Sequence, residues 1–269
     1  MRESEKRSPG AGVNGILEFP DMGSRLETAA RVHVLTEGYL TANSQGFLHP
    51  LLTNYDLFRE KQVSLRFFGK IKDEIYDCDY LLIDSKFFRY WWHKKTSHTL
   101  DVLSNFDRNG AVVVWFHTGD SAGTLGAYSK SVLPIVKGFF KSQVYADKTL
   151  YQKSLYGNRL YTDFYHNRCG VEDSDPPHFD PVVSDEDLDK IKVSWNIGYA
   201  RCFDFFGEYL ASAYKRIPVS ALLKIKPRIH PAHAPRTRGV YSRMGLNFPR
   251  KTVGFQREKL AQLVGKQPR

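Results

Sequence analysis

In Ala111-Val-Val-Val-Trp-Phe116, six apolar residues run without interruption into the polar, glycine-containing stretch His117-Thr-Gly-Asp120. A strand apolar on both sides has to be covered on both faces, which is the condition of a parallel sheet with helices above and below it. Upstream, Tyr80-Leu-Leu-Ile-Asp84 is a second continuous apolar run, and it ends in an acid. Val63-Ser-Leu-Arg-Phe-Phe68 alternates apolar and polar residues, and Arg31-Val-His-Val-Leu-Thr36 reads as a short strand. Helix-length segments separate these strands. Phe47, Leu51, Tyr55 and Phe58 share one face of a predicted helix over Phe47–Lys61, where Pro50 fits only near the start. Thr99–Phe106 is a second predicted helix, closed by the turn Asn109-Gly110.

Strands alternating with helices predict an α/β protein with a Rossmann-like, mainly parallel sheet built from right-handed βαβ units. Ligands in such sheets sit beyond the carboxyl ends of the strands. Three loops occupy those ends here: Glu37–Gly46, Asp84–Phe88 and His117–Gly126. Downstream, a short strand is expected around Ile135–Phe140 and a helix around Asp147–Leu155. The acidic, proline-containing stretch Glu172–Asp189 reads as a surface loop, with a helix start at Ser184-Asp-Glu-Asp187. Cys202–Arg216 reads as a helix ended by Pro218, Pro227–Pro249 as a linker, and Lys251–Val264 as a last helix. The expected organisation is a flexible tail over 1–28, one α/β domain over 29–226 and a basic segment over 227–269.

The charge is unevenly spread. The 269 residues carry a formal +10, yet fourteen Lys/Arg lie between Lys215 and Arg269 against Glu258 alone, leaving −3 for everything before them. Such a block attracts phosphate, nucleic acid or an anionic membrane surface, although a merely solvated edge has the same composition. No recognised nucleic-acid motif accompanies it, so nucleic acid is the weakest of these expectations. No stretch reaches the roughly 18 apolar residues of a membrane helix, and Met1–Gly23 is not built as a signal peptide. A cytoplasmic protein, with peripheral contact at the inner membrane face as an option, is the expectation. Cys78, Cys169 and Cys202 are widely spaced and match no metal-ligand pattern.

Several motifs are excluded. Gly119-Asp-Ser-Ala-Gly123 resembles the surroundings of a nucleophilic serine, but it follows a parallel-type strand and no Gly-x-Ser-x-Gly elbow is present. There is no phosphate-binding P-loop, and no Gly-x-Gly-x-x-Gly follows the first strand. Asp77-Cys-Asp79 has the spacing of a metal-binding acid pair but precedes its strand, and Asp185-Glu-Asp187 is better explained as a helix start. His93/His98 and His230/His233 lack partners at ligand spacing, so no metal site is expected. Tyr90-Trp-Trp-His-Lys-Lys95 combines aromatics with bases and can stack on a planar or sugar ring, or simply form a lid.

Leu81-Leu-Ile-Asp84-Ser-Lys86, Val114–Gly123 and Leu133-Pro-Ile-Val136 resemble a bacterial family of glycosyltransferase-like proteins of the GT-B class, found among surface-polysaccharide and lipopolysaccharide genes. Lys141–Tyr151 and Gly157-Asn-Arg-Leu-Tyr-Thr-Asp-Phe-Tyr-His166 carry the most specific part of that resemblance. It implies the first, acceptor-side half of a two-domain enzyme that uses a nucleotide-sugar donor without an obligatory metal or other cofactor. The partners it implies are a glycan or lipid-linked acceptor and a second glycosyltransferase domain or chain. Arg243–Leu260 resembles the lead into the second domain, so the expectation is a chain that stops where the donor half begins and is inactive alone. A non-catalytic scaffold derived from the same fold is the alternative. Glycosyl transfer needs a base on the acceptor hydroxyl, and the candidates at strand-end loops are Asp120, Glu37 and Asp84. His117 could serve instead, and the choice stays open. Gly38, Asn43, His117, Ser121 and Gly123 are the candidate substrate contacts.

Overall fold

The computed structural model describes residues 29–38, 41–92, 94–119, 121–175, 177, 179–195 and 250–265. Its centre is a six-stranded sheet: β1 (Ala30–Leu35), β2 (Val63–Phe68), β3 (Tyr80–Asp84), β4 (Val112–His117), β5 (Gly138–Lys141) and β6 (Ile191–Val193). The strand order is β2-β1-β3-β4-β5-β6, and every pair is parallel. This is a Rossmann-like α/β fold. The register places Leu35 beside Ile83, Ile83 beside Trp115, Trp115 beside Phe139 and Phe139 beside Ile191. One continuous apolar row therefore crosses the sheet.

Successive strand residues face opposite ways, so the sheet supplies two cores. On one face Leu35, Ile83, Trp115 and Phe139 pack with Val102, Leu103 and Phe106 of α3 (Thr96–Arg108). On the other, Val34, Leu65, Phe67 and Phe116 meet Phe47, Leu48, Leu51 and Leu52 of α1 (Ala42–Thr53). Full burial of such a side chain is worth about 1.5–3 kcal/mol, which accounts for the apolar runs of β3 up to Asp84 and of β4 up to His117.

Several element boundaries differ from expectation. The helix predicted over Phe47–Lys61 begins earlier, at Ala42, inside the stretch read as a loop. The hydroxyl of Thr41 caps it by accepting the Ser44 amide. Pro50 consequently sits deep in α1 rather than near its start. The helix is also interrupted: Asn54 turns both its amide and its side chain onto the Pro50 carbonyl. A short α2 (Tyr55–Glu60) follows. Since Pro50 has no amide to reach the Gly46 carbonyl, Pro50→Ala is expected to stabilise the protein by roughly 1–3 kcal/mol. A urea midpoint that falls instead would show that the break at Asn54 depends on the proline.

The helix expected over Asp147–Leu155 is only a 3-10 turn, Lys148–Gln152, because the Asp147 carboxylate takes both the Thr149 amide and hydroxyl in a local turn. β5 starts later than expected, at Gly138, after the short α4 (Ser129–Val132) and the turn that follows it. The three-residue β6 and α5 (Leu160–Cys169) were not legible as elements; α5 leaves Leu160 and Phe164 exposed and has no apolar stripe. The helix start at Ser184 is present as the one-turn α6 (Asp185–Leu188).

The last described helix, α7 (Lys251–Gly265), packs on α5 through Phe255 and Tyr165, whose ring centroids are 5.3 Å apart. The Asp173 carboxylate caps its first turn, accepting the Thr252 amide at 2.8 Å and hydroxyl at 2.9 Å. The expected tail over 1–28, the helix Cys202–Arg216, the linker Pro227–Pro249 with His230 and His233, most of the basic block, and His93 lie outside the described residues. Among the described residues no helix is long and apolar enough to cross a membrane.

Candidate functional site

The strand order reverses between β1 and β3: the chain leaves β1 toward β2 on one side and returns to β3 on the other. Their carboxyl ends lead into elements on opposite faces of the sheet, and in this architecture that switch point is the crevice where ligands bind. Polar groups of the chain gather there. Thr36, Ser85 and Thr118 each follow the last residue of β1, β3 and β4 directly, and all three are buried.

Asp84, the last residue of β3, lies at their centre with no exposed surface. Its carboxylate accepts the Thr118 hydroxyl at 3.0 Å, the Lys86 amide at 3.0 Å and the Thr36 hydroxyl at 3.2 Å. Burial pushes its pKa above the ordinary carboxylate value, against the pull of the hydrogen bonds from Ser44, Lys86, Thr118 and Thr36. The Thr118 amide donates to the Ser85 hydroxyl at 3.1 Å, and the side-chain Nδ2 of Asn43 donates to the Thr118 carbonyl, so the loops after β1, β3 and β4 are tied together here.

Glu37 stands one residue beyond Thr36, with 10% of its side chain exposed. One carboxylate oxygen accepts the hydroxyls of Thr41 (3.1 Å) and Ser44 (3.3 Å), both from the amino end of α1. The other faces the Arg89 guanidinium at 3.3 Å. Burial raises the Glu37 pKa; Arg89 opposes that rise, and the neighbouring Asp84 charge adds to it. Gly38 follows with φ +76°, a conformation that suits glycine, and its amide returns to the Thr36 hydroxyl at 3.1 Å.

Of the residues singled out from sequence, the crevice brings together Glu37, Gly38, Asn43 and Asp84. Asp120 lies outside the described residues. His117 points away into the core: its Nδ1 is 2.7 Å from the Tyr128 hydroxyl, its ring stacks on Phe139, and a side chain at Gly119 would strike its Nε2. Burial depresses its pKa well below the ordinary value, with Lys141 and Lys86 adding to the effect, so the ring is neutral. Ser121 and Gly123 belong to a loop pinned from below. Buried Lys141 reaches the carbonyls of Ser121 and Thr124, Tyr151 holds that of Ala122 at 2.7 Å, and Arg159 holds the Ser121 hydroxyl at 3.2 Å. A side chain at Gly123 would strike the Tyr145 hydroxyl and the Asn158 carbonyl.

Asp77 and Asp79 lie at the amino ends of the strands, where Arg31 binds both, its contact with Asp79 being 2.9 Å. Asp187 is engaged by Ser184 at 3.0 Å and Lys190 at 2.8 Å. No group of three His, Cys, Asp or Glu side chains among the described residues is placed to hold a metal ion. A cleft of about 240 Å³ lined by Leu133, Pro134, Val182 and Val183 contains none of the candidate residues; the crevice is the better site because polar groups converge there. Sequence reading missed Thr36, Ser44, Ser85, Arg89 and Thr118. A hydroxyl residue immediately after three of the first four strands was the available signal.

The fold and crevice define a Rossmann-like parallel α/β protein with an acid-bearing site at the switch point of its sheet. Comparison with protein-family models, with curated proteins and with solved structures gave no match.

Proposed function

We propose that this chain supplies the acceptor-side domain of a nucleotide-sugar-dependent glycosyltransferase of cell-surface polysaccharide synthesis, with Glu37 as the base that takes the acceptor hydroxyl's proton. The observation carrying this reading is the setting of Glu37. Its carboxylate stands at the switch point, oriented by Thr41 and Ser44, flanked by Arg89 and backed by buried Asp84. A general base needs a fixed position and a proton affinity above that of a free carboxylate, and desolvation supplies the second. Arg89 also carries a positive charge into the crevice, of the kind that stabilises negative charge developing during transfer. Asp84 is assigned a positioning role, since its oxygens are occupied by Thr36, Thr118 and the Lys86 amide.

The test is a transfer assay. The full chain is incubated with uridine, guanosine and thymidine diphosphate sugars and a glycolipid extract, and labelled product and released nucleotide are followed together. The same assay is repeated with a co-expressed candidate donor-domain chain. Sugar transfer dependent on this chain is expected; absence of transfer from every donor under both conditions would overturn the reading.

A further inference from the structure

We infer that Tyr90 and Arg89 form a stacking plate for a pyranose ring of the acceptor, beside the Glu37 carboxylate. This rests on the glycosyltransferase reading above and specifies its acceptor as a saccharide.

Tyr90 is 68% exposed, the most exposed of the large apolar and aromatic side chains described. It nevertheless sits on a fixed backbone. Phe88 is wholly buried and stacked on Trp115 at 5.9 Å, the Arg89 amide donates to the Lys86 carbonyl at 3.2 Å, and the Trp91 amide donates to the Phe88 carbonyl at 2.9 Å. An aromatic ring held outward by a rigid turn costs little ordering entropy when it binds. Arg89 lies behind the Tyr90 ring, its guanidinium carbon 4.5 Å from the centroid, and the same guanidinium meets Glu37 at 3.3 Å. The sequence of groups is thus an exposed aromatic face, then a cation, then a carboxylate, with the Thr41 and Ser44 hydroxyls beyond.

A pyranose matches that order. One face of the ring presents C–H groups that pack on an aromatic plane, while its edge carries hydroxyls that both donate and accept. Arg89 is 34% exposed on its side chain, while its Nε–H is buried and has no partner among the described residues. The exposed part of the guanidinium can take ring hydroxyls while Glu37 accepts a proton from one of them. A nucleobase would use the plane of Tyr90 but leave the hydroxyl-rich side of the crevice unmatched.

The test is saturation-transfer NMR on the full chain with methyl glycosides of glucose, galactose, mannose, N-acetylglucosamine and rhamnose, and with uridine diphosphate as the nucleobase control. Wild type and Tyr90→Phe should pass saturation to the C–H protons of at least one glycoside. Tyr90→Ala should weaken that binding about tenfold or more, the usual scale for loss of a stacking aromatic. Thermal melts should coincide for all three proteins, since the ring is exposed. Saturation retained in Tyr90→Ala would overturn the plate. So would a signal from uridine diphosphate alone, or no glycoside signal from well-folded wild type. In each of these cases the transfer assay still decides the enzymatic reading separately.

Discussion

Asp84→Ala is expected to lower stability by about 2–4 kcal/mol, because the donors that converge on its buried carboxylate would lose their acceptor. The hydroxyls of Thr36 and Thr118, both buried, and the part-buried amide of Lys86 converge on this carboxylate. Asp84→Asn should behave in the opposite way near neutral pH. The amide oxygen keeps the contacts with Lys86 and Thr118, the amide nitrogen can donate to a rotated Thr36 hydroxyl, and the cost of burying a charge disappears. The pH dependence follows from the direction of the shift. Burial raises the folded-state pKa above the unfolded value of 3.8. Between those two values the folded state binds more protons than the unfolded state, so this group's contribution to stability falls as pH rises through that window. The advantage of Asp84→Asn over wild type should therefore be absent below the unfolded pKa, grow upward through the window and then level off. Urea unfolding of wild type and both variants across that range measures it. If Asp84→Asn proved as damaging as Asp84→Ala at neutral pH, the negative charge itself would be required, and a cation partner for Asp84 would have to be sought.

The sheet was legible in the sequence because β3 and β4 carry the continuous apolar runs that two-sided burial demands, and because β2 alternates apolar and polar residues as a strand does. β6 was not, since three residues cannot establish a pattern, and α5 was not, since its Leu160 and Phe164 face outward and break the helical apolar stripe. The start of α1 was hidden for a different reason. The polar residues Thr41, Asn43 and Ser44 resemble a loop in composition, yet they act as a cap, a bridge to the loop after β4 and a ligand of Glu37. The acids of the crevice could be found from strand ends alone, whereas Arg89 could not: it reaches Glu37 only because a buried Phe88 turns the chain after β3. Local sequence places residues at the ends of strands; which of them meet across β1, β3 and β4 is decided by the strand order.

Glu37→Gln is expected to reduce glycosyl transfer by about 10²–10⁴-fold, the usual contribution of a general base, while leaving the fold intact. Gln retains an oxygen for the Thr41 and Ser44 hydroxyls, so acceptor binding should change far less than turnover. Arg89→Met separates positioning from chemistry. Burial raises the Glu37 pKa, and Arg89 is the largest influence holding it down. Removing that charge leaves burial and the Asp84 charge unopposed, and the Glu37 pKa rises further. A base must be ionised to act, so the acidic limb of the rate profile should move to higher pH in Arg89→Met. Activity should recover at alkaline pH, where Glu37 is ionised again. Arg89→Lys keeps the charge and should hold the limb near its wild-type position. A residue with a merely structural role would lower the rate at every pH without moving the limb. An unmoved limb in Arg89→Met, together with full activity in Glu37→Gln, would remove Glu37 from the chemistry and leave Asp120, three positions after His117 in the sequence, as the acid to examine next.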